Sequence, residues 1–249
     1  MNQATLHAAL LDGVSDAPAR RVVLGVNWVL VEGPAGTGLA HAPPRGAPGC
    51  RPLAQAGRLA GTPLSTLAAG VGSDNPFEVA VAIAAANAHH NRPDLAGEAG
   101  NAIEAAGRES GRVVVVGRFP GLERSLPHAA VIERSPGPGD HPESDAPELI
   151  GAADLVLVTA STLGNGSLAG ILDLARCTRV VLVGPGTPLA PALFACGIER
   201  LAGMVVDDPE TAARVVMEGG AVRQLRPAGR NLTIARPGAA APPPGRPAG

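Results

Sequence analysis

The sequence predicts an α/β protein in which a mostly parallel sheet domain follows a smaller α+β domain. Three observations indicate this organisation. The second half alternates short β-branched and apolar runs with helix-like segments, a pattern typical of a parallel sheet covered on both faces. The first half begins with two apolar runs around a glycine-rich turn and continues into a long apolar helix. The last residues are rich in Pro, Gly and Ala, so they cannot form a core.

Five segments of the second half have the composition of buried strands. They are VVVVG (113–117), AAVIE (129–133), DLVLVT (154–159), RVVLVG (179–184) and LAGMVVD (201–207). Helix signals accompany them: Asp208 is placed to cap a helix, Pro209 fits its first position and Gly219–Gly220 can end it. In NGSLAGILDLARC, apolar residues recur at helical spacing. This alternation predicts a Rossmann-like domain.

The first half follows a different pattern, which predicts antiparallel strands and then helices. RRVVLGVNWVLVE, the turn GPAGTG and LAHA indicate a hairpin. A helix is predicted in SDNPFEVAVAIAAANAHHN, with Asp74 or Asn75 as its cap, Pro76 in the first turn and Glu78 completing a capping box. Its body is apolar nearly all round, so we expect burial on most faces.

These patterns divide the chain into three parts, with the join between the first two inside 92–112. Each of the two domains is long enough to bury its own core. The predicted parts are an α+β domain (1–105), a Rossmann-like domain (106–236) and a disordered Pro/Gly/Ala tail (237–249).

Composition excludes several kinds of chemistry and partner. The chain has no Lys and no Tyr, so it offers no Schiff-base lysine, no P-loop lysine and no tyrosine acid. A net charge of −2 without a basic stripe argues against nucleic-acid binding. The longest apolar run, VAVAIAAA, is too short to span a membrane, and no secretory signal is visible. Cys50, Cys177 and Cys196 are too few and too scattered for a disulfide framework or a thiolate zinc site. We expect a cytoplasmic protein.

Polar residues that directly follow two neighbouring strands are the main site candidates. Ligands of an open parallel sheet gather beyond the carboxyl ends of its strands. Thr159, Ser161 and Thr162 follow one strand, and Asn165-Gly166-Ser167 opens the next helix. Asn165 alone is explained as a helix cap, but four hydroxyls exceed what a cap requires. The segment 184–188 closes the following strand with Gly184, Gly186, Thr187 and Pro188. We expect both turns to face one crevice.

Further candidates lie at the ends of the first two parallel strands. Arg118 follows VVVVG and either pairs an anion or is solvated; the G-x-G-x-x-G fingerprint is missing. Glu133 ends the second strand, where an acid can accept hydrogen bonds from ribose hydroxyls. The loop that follows carries Asp140 and His141, which either serve as metal ligands or a general base or form a solvated acidic loop.

Three polar residues end the predicted buried helix. They are Asn87, His89 and His90. A histidine at a helix end is commonly stabilised by the helix dipole, and no spaced ligand motif accompanies this pair. A metal site built from Asp140, His141, His89 or His90 therefore stays an alternative without a spacing signal of its own.

Several phrases resemble the family described as "putative heavy-metal chelation". In the second half they are VVVVGRFPGL, the segment 131–175 from VIERSPGPGDHPESDAPEL to ILDLA, VVLVGPGTPLAPALFACGIERLAGMVVDDPE and MEGG; in the first half they are VLGVNWVLVE, GLAHA and SDNPFEVAVAIAAANAHHN. The resemblance covers about residues 5–222. AHH replaces an apolar pair of the family, which separates His89 and His90 from its pattern.

The resemblance implies an enolase-amino-terminal-like domain packed on a Rossmann-like domain, with a site in the cleft between them. It implies heavy-metal or metallophore handling, or condensation or hydrolysis in the making of pterin-, flavin- or siderophore-like molecules. Carried over by motif, the site residues are Asn75, Asn87, Glu133, Asp140, Thr159, Thr162, Asn165, Gly184 and Thr187.

Three functions follow from these observations. The first is binding, with turnover left open, of a polar heteroaromatic or chelator-like molecule in the interdomain cleft, with a divalent metal carried by the ligand. The second is metal binding without catalysis. The third is an adenosylmethionine- or nucleotide-dependent transferase, for which Glu133 is the best residue. The expected partner is a small molecule; self-association into a homo-oligomer is left open.

Overall fold

The computed structural model describes residues 1–44, 46 and 51–240. Cys50 and residues 241–249 of the predicted tail lie outside the described residues. Within the described part, no helix is long and apolar enough to cross a membrane.

Two sheets and ten α-helices make up the described part of the chain. The strands are β1 Arg21–Leu24, β2 Trp28–Glu32, β3 Thr37–His41, β4 Glu98–Ala99, β5 Val113–Val116, β6 Ala130–Glu133, β7 His141–Pro142, β8 Leu155–Thr159, β9 Arg179–Val183, β10 Arg200–Val206 and β11 Gly229–Ala235. The α-helices are α1 Gln3–Leu11, α2 Leu64–Ala68, α3 Pro76–His90, α4 Ala102–Ala106, α5 Leu122–Ser125, α6 Ala146–Gly151, α7 Ser161–Gly164, α8 Leu168–Leu174, α9 Pro209–Met217 and α10 Val222–Leu225. Short 3₁₀ helices cover Ala69–Gly72, Glu143–Asp145, Pro191–Cys196 and Arg226–Ala228.

The large sheet has eight strands in the order β4-β11-β10-β9-β8-β5-β6-β7. The strands from β7 to β10 are parallel, and β11 and β4 join their edge antiparallel. The chain runs from β5 outward to β7 and then returns to β8 on the other side of β5. This order is the Rossmann order, and its direction switches between β5 and β8. The predicted fold class is therefore confirmed, with all five predicted strands present.

The first half builds a three-stranded antiparallel sheet, β1-β2-β3, covered by α3. Residues Val79–Ala88 of α3 are all buried, as the all-round apolar pattern predicts. The helix lies very close to the sheet, because a Cβ at Gly38 of β3 would stand 2.0 Å from the carbonyl oxygen of Ala84. Alanines along α3 and glycine on β3 thus permit backbone contact that larger side chains would prevent.

The two predicted helix starts are confirmed in part. Asn75 caps α3 by accepting from the Phe77 amide. In the predicted capping box, Glu78 does not bond the Asn75 amide directly. The Ser73 hydroxyl instead accepts from the Asn75 amide and donates to the Glu78 carboxylate, so it bridges the two residues. Asp208 caps α9 as predicted, accepting from the Thr211 amide at 3.0 Å.

The helix predicted to begin at Asn165 begins instead at Leu168, with Ser167 at its N-cap position. A single turn, α7, leaves β8 directly, so Asn165 ends α7 instead of capping α8. Its side-chain oxygen accepts from the amide of Ser167 at 3.0 Å and from its hydroxyl at 2.7 Å. Gly166, at a φ of 76°, reverses the chain before α8.

Two fully buried asparagines near the end of α3 hold the two halves together. The Asn87 amide donates to Leu39 O of β3 at 2.7 Å and to Gly186 O at 2.9 Å. The Asn91 amide donates to Thr187 O at 2.9 Å and Met204 O at 3.2 Å, and its oxygen accepts from Leu189 N at 2.9 Å. Both side chains therefore satisfy backbone groups of buried residues in the β9–β10 connection.

Asn91→Ala removes the partners of three buried backbone groups at once. We expect a loss of about 3 kcal/mol or more in the free energy of unfolding, because each orphaned buried group costs about 1–3 kcal/mol. Urea titration of the variant measures it. The matched control is Asn231→Ala at an exposed strand position, which should stay within about 0.5 kcal/mol of wild type. Equal stabilities for the two variants would contradict this role of Asn91.

His90 makes folding sensitive to acid. Burial lowers the pKa of His90 to about 4, and its Nε2 donates to Leu10 O at 3.0 Å, so the folded state holds the neutral ring. Between the ordinary value of 6.5 and about 4 the unfolded chain binds a proton that the folded chain does not. Stability should therefore fall as pH drops through this window, by about 2–3 kcal/mol from this residue. Denaturation of wild type and His90→Gln at pH values across the window measures the effect. His90→Gln should lose less stability on acidification, whereas His128→Gln, at an exposed position, should behave as wild type does.

Candidate functional site

A cleft opens at the carboxyl ends of the parallel strands, at the switch between β5 and β8. It consists of two adjoining cavities, a first lobe of about 620 Å³ and a second lobe of about 980 Å³. The first half roofs both lobes, through the β1–β2 turn and the end of β3. The wall shared by the two lobes consists of Asn27, His41, Arg118, Thr159, Ala160, Ser161 and Gly186.

The first half contacts the large-sheet part of the chain on two sides of the cleft. The Asn27 amide donates to Gly219 O at 2.7 Å, at the end of α9. On the other side, a Cβ at Gly186 would approach Leu39 O to 3.3 Å and Ala40 Cα to 3.4 Å, so the β9 turn touches β3. The predicted crevice between the halves is therefore present, and the junctions after β8 and β9 both open into it.

The β8 junction supplies hydroxyls to the shared wall. Thr159 and Ser161 line both lobes, and their hydroxyls are 3.3 Å apart. Thr162 also lines the second lobe but is 3 % exposed, and its hydroxyl donates to Thr159 O at 2.7 Å. Thr159 and Ser161 are therefore the hydroxyls available to a ligand, while Thr162 stabilises the turn that carries them.

The β9 junction contributes backbone rather than side chains. Gly184 lines the first lobe at a φ of 131°, a conformation that favours glycine, and Gly186 lines both lobes. Thr187 is fully buried beneath this turn, with its amide donating to Gly184 O at 2.9 Å. A ligand in the first lobe would thus meet glycine backbone, with Thr187 supporting it from below.

The β5 and β6 ends form a charged group at the mouth. Arg118 lines both lobes, and its guanidinium pairs with Asp140. This hydrogen bond holds the pKa of the Asp140 carboxyl below its ordinary value and raises the pKa of Arg118. Glu133 lines the second lobe and accepts from the Arg118 amide. Glu133 thus binds the backbone of Arg118 and Asp140 binds its side chain, and together they fix the arginine at the boundary of the two lobes.

The remaining predicted site residues are distributed in and behind the cleft. Asn165 and Ser167 line the second lobe, bonded to each other. Asn75 and Asn87 are buried at 3 % and 0 % exposure, where they cap α3 and join the halves. The described lining of either lobe includes neither of them, nor Thr187, Gly166 or Asp140.

The four metal candidates do not come together. His90 is bonded to Leu10 O, and His89 packs edge-on against it at 4.9 Å between ring centroids. His141 pairs with Asp145 at 3.3 Å on the edge strand β7, and Asp140 is held by Arg118. Among the described residues, no group of three His, Cys, Asp or Glu side chains is close enough to hold a metal ion.

Several lining residues were not singled out from the sequence. His41 lines both lobes, and Trp28, Asn101 and Arg226 line the first. The Trp28 and His41 ring centroids are 4.8 Å apart, with the planes tilted by 51°. One signal was present: the chain has a single Trp and three Phe, and Trp28 and Phe119 both line the first lobe.

The fold and the site together define a class of protein: a Rossmann-type sheet with a cleft at its switch point, covered by a small antiparallel sheet and α3, whose apolar core is continuous with that of the large sheet. The sequence matches two family models, each described as "Putative heavy-metal chelation": DUF4213 over residues 7–90 and DUF364 over residues 101–234. The chain belongs to this family. Among proteins of curated function, none matches the sequence.

Two crystal structures of DUF364-family proteins with unknown function share the fold. The one from Desulfitobacterium hafniense DCB-2 is 30 % identical with a TM-score of 0.83, and the match covers 93 % of this chain and 98 % of that one. The one from Pyrococcus horikoshii is 20 % identical with a TM-score of 0.78 and the same coverage, which shows the fold alone.

Gly117 fixes the geometry of the switch point. Its φ is 90°, and a Cβ there would stand 2.3 Å from Thr159 Cγ2. We expect Gly117→Ala to lose about 2–4 kcal/mol in the free energy of unfolding, from backbone strain and from the clash together. Gly139→Ala is the matched control, because Gly139 has a φ of 84° with nothing within 4 Å of its Cβ position, and it should lose about 1 kcal/mol. Chemical denaturation measures both. Equal losses would show that Thr159 does not restrict this position.

Proposed function

We propose that the protein binds a small, polar, chelator-like molecule of the pterin, flavin or metallophore type in the interdomain cleft, and that a heavy metal enters as part of that ligand. The observation that carries this proposal is the cleft at the switch point, walled by both halves and large enough for a drug-sized molecule. Thr159, Ser161 and the glycine backbone of the β9 turn provide polar contacts there.

The side chains present do not suit a resident metal ion. Heavy divalent metals are held by several His, Cys or carboxylate ligands at once. No such group exists among the described residues, and the cleft lining contains a single histidine, His41, and no cysteine in the described part. The donor atoms for a metal would therefore come from the ligand, and the protein would recognise the chelator or its complex.

A nucleotide or adenosylmethionine ligand is a second candidate, and the position of Glu133 favours it. Glu133 ends β6 and lines the second lobe, the place where an acidic residue of a Rossmann-type domain accepts ribose hydroxyls. Against it, one carboxylate oxygen already accepts from the Arg118 amide. Thermal denaturation with adenosylmethionine, ATP and NAD separates this candidate from the first, since only a nucleotide-dependent protein would be stabilised by them.

The proposal is tested by a panel of probes: dipicolinate, 2,3-dihydroxybenzoate, neopterin and riboflavin, each with and without one equivalent of Zn²⁺, and Zn²⁺ alone. We expect at least one chelator to raise the thermal unfolding midpoint, since a ligand at 100 times its Kd stabilises by about 2.7 kcal/mol. Calorimetric titration should show no stoichiometric binding of Zn²⁺ alone.

Ser161→Leu fills the shared wall and should weaken binding of that probe at least tenfold. Ser110→Leu is the matched control: Ser110 is exposed on the loop before β5, at the opposite edge of the sheet, and its variant should bind as wild type does. Micromolar binding of one Zn²⁺ per chain without a chelator, or no binding of any probe, would contradict the proposal.

A further inference from the structure

The two lobes differ in charge. The described lining of the first lobe contains two arginines, Arg118 and Arg226, and no carboxylate. The second lobe includes Glu133 and Glu143 together with its arginines. The protein as a whole carries a net charge of −2, so a carboxylate-free cationic lining is a local feature that departs from the average surface.

Of these two arginines, Arg226 is the one available to a ligand. Arg118 already pairs with Asp140, and Glu123 stands 3.7 Å from it. Arg226 is exposed, and within the described residues it forms no salt bridge or hydrogen bond through its side chain. A planar guanidinium without a partner presents two parallel N–H donors, which match a carboxylate.

The first lobe also carries flat apolar walls. The indole of Trp28 and the ring of Phe119, at 5 % and 9 % exposure, line it together with the exposed imidazole of His41. Aromatic faces in a cavity favour planar ligands through stacking and edge contacts.

Trp28, which lines the first lobe, also carries an unpartnered donor. The Trp28 Nε1 is buried and has no hydrogen-bond partner in the described structure. An indole nitrogen only donates, so an acceptor on a ligand is what can satisfy it. Leaving such a donor without a partner costs free energy, and a bound acceptor recovers it.

From these observations we infer that the first lobe binds a planar aromatic carboxylate, with Arg226 pairing the carboxylate and the Trp28 indole bounding the ring and supplying a donor. This inference rests on the proposed cleft function and names its ligand class. The ring would lie among Trp28, Phe119 and His41, and the negative charge would lie toward Arg226, on the side of the lobe away from Glu133. A chelator of this type brings its own oxygen and nitrogen ligands for a metal.

The single tryptophan makes the test direct. Because the chain has one Trp and no Tyr, its intrinsic fluorescence reports Trp28 alone. Three probes of similar shape separate charge from planarity and chelation: dipicolinate is a planar dianion that chelates, isophthalate is a planar dianion without the ring nitrogen, and pyridine-2,6-dicarboxamide is the neutral counterpart. We expect both dianions to change the Trp28 emission saturably, and the diamide to bind at least tenfold more weakly.

Arg226→Gln should weaken binding of the dianions about tenfold and leave the diamide unchanged. Arg223→Gln is the matched control: it removes the same charge from the same exposed segment, and Arg223 does not line the lobe. Trp28→Phe, followed by calorimetry, keeps a ring and removes the N–H donor, and it should also weaken the dianions. Circular dichroism and unfolding midpoints confirm that each variant is folded.

Equal binding of the diamide and the dianions, or equal effects of Arg226→Gln and Arg223→Gln, would overturn the carboxylate assignment and leave the cleft function intact. Displacement of dipicolinate by inorganic phosphate at equal concentration would overturn it in favour of a phosphate-bearing ligand. If neither dianion binds while neopterin or riboflavin does, the assignment fails and the proposed function stands; if no probe binds, both fail.

Discussion

The cleft depends on the hydrogen bonds of Asn87 and Asn91, which fix the first half of the chain onto the sheet domain. Beyond the part that lines the cleft, residues 187–190 of the connection after β9 are buried, where carbonyl and amide groups are shielded from water. An unsatisfied buried backbone group is costly, so the interface needs polar side chains at those points. Asn91 supplies both a donor and an acceptor there, whereas Asn87 supplies the donor alone. An apolar core that is continuous between the two halves packs around the same interface.

The switch in chain direction between β5 and β8 then determines the position of the cleft. Chain connections leave in opposite directions from these two strands, so no helix covers the gap between them. A Cβ at Gly117 would overlap the Thr159 side chain, so only glycine fits there, and Thr159 and Ser161 after β8 line the cleft. Arg118, held by Glu133 and Asp140, marks the boundary of the two lobes. The lobes therefore share one wall yet differ in charge and in aromatic content.

The family description speaks of heavy-metal chelation, and the chemistry of this chain constrains how that could be achieved. Its six histidines are dispersed: among them, His90 is partly buried and bonded to Leu10 O, His141 pairs with Asp145, and His41 is the one histidine of the described cleft lining. The described cysteines, Cys177 and Cys196, are free, the first exposed and the second buried. Metal affinity arises from several ligands converging on one point, and these side chains do not converge. Among the described residues, no three such side chains form a group that could hold a metal ion.

The sequence by itself determined the periodic elements and the polar strand ends. Local sequence was enough to predict the β-branched runs, the cap at Asp74 or Asn75, the cap at Asp208, and the hydroxyls of Thr159 and Ser161. Each of these features depends on neighbours a few residues away. Their convergence on one crevice also followed, since parallel strands end at a common edge. Only the tertiary structure decided which polar residues face the crevice. Asn87 and Thr187 are buried because α3 packs across the β9 turn, and Asn165 follows the single helical turn α7 instead of capping α8. Trp28, His41 and Arg226 line the lobes although they come from distant segments of the chain. Spacing along the sequence could not predict this, because their proximity arises only when the two halves pack together.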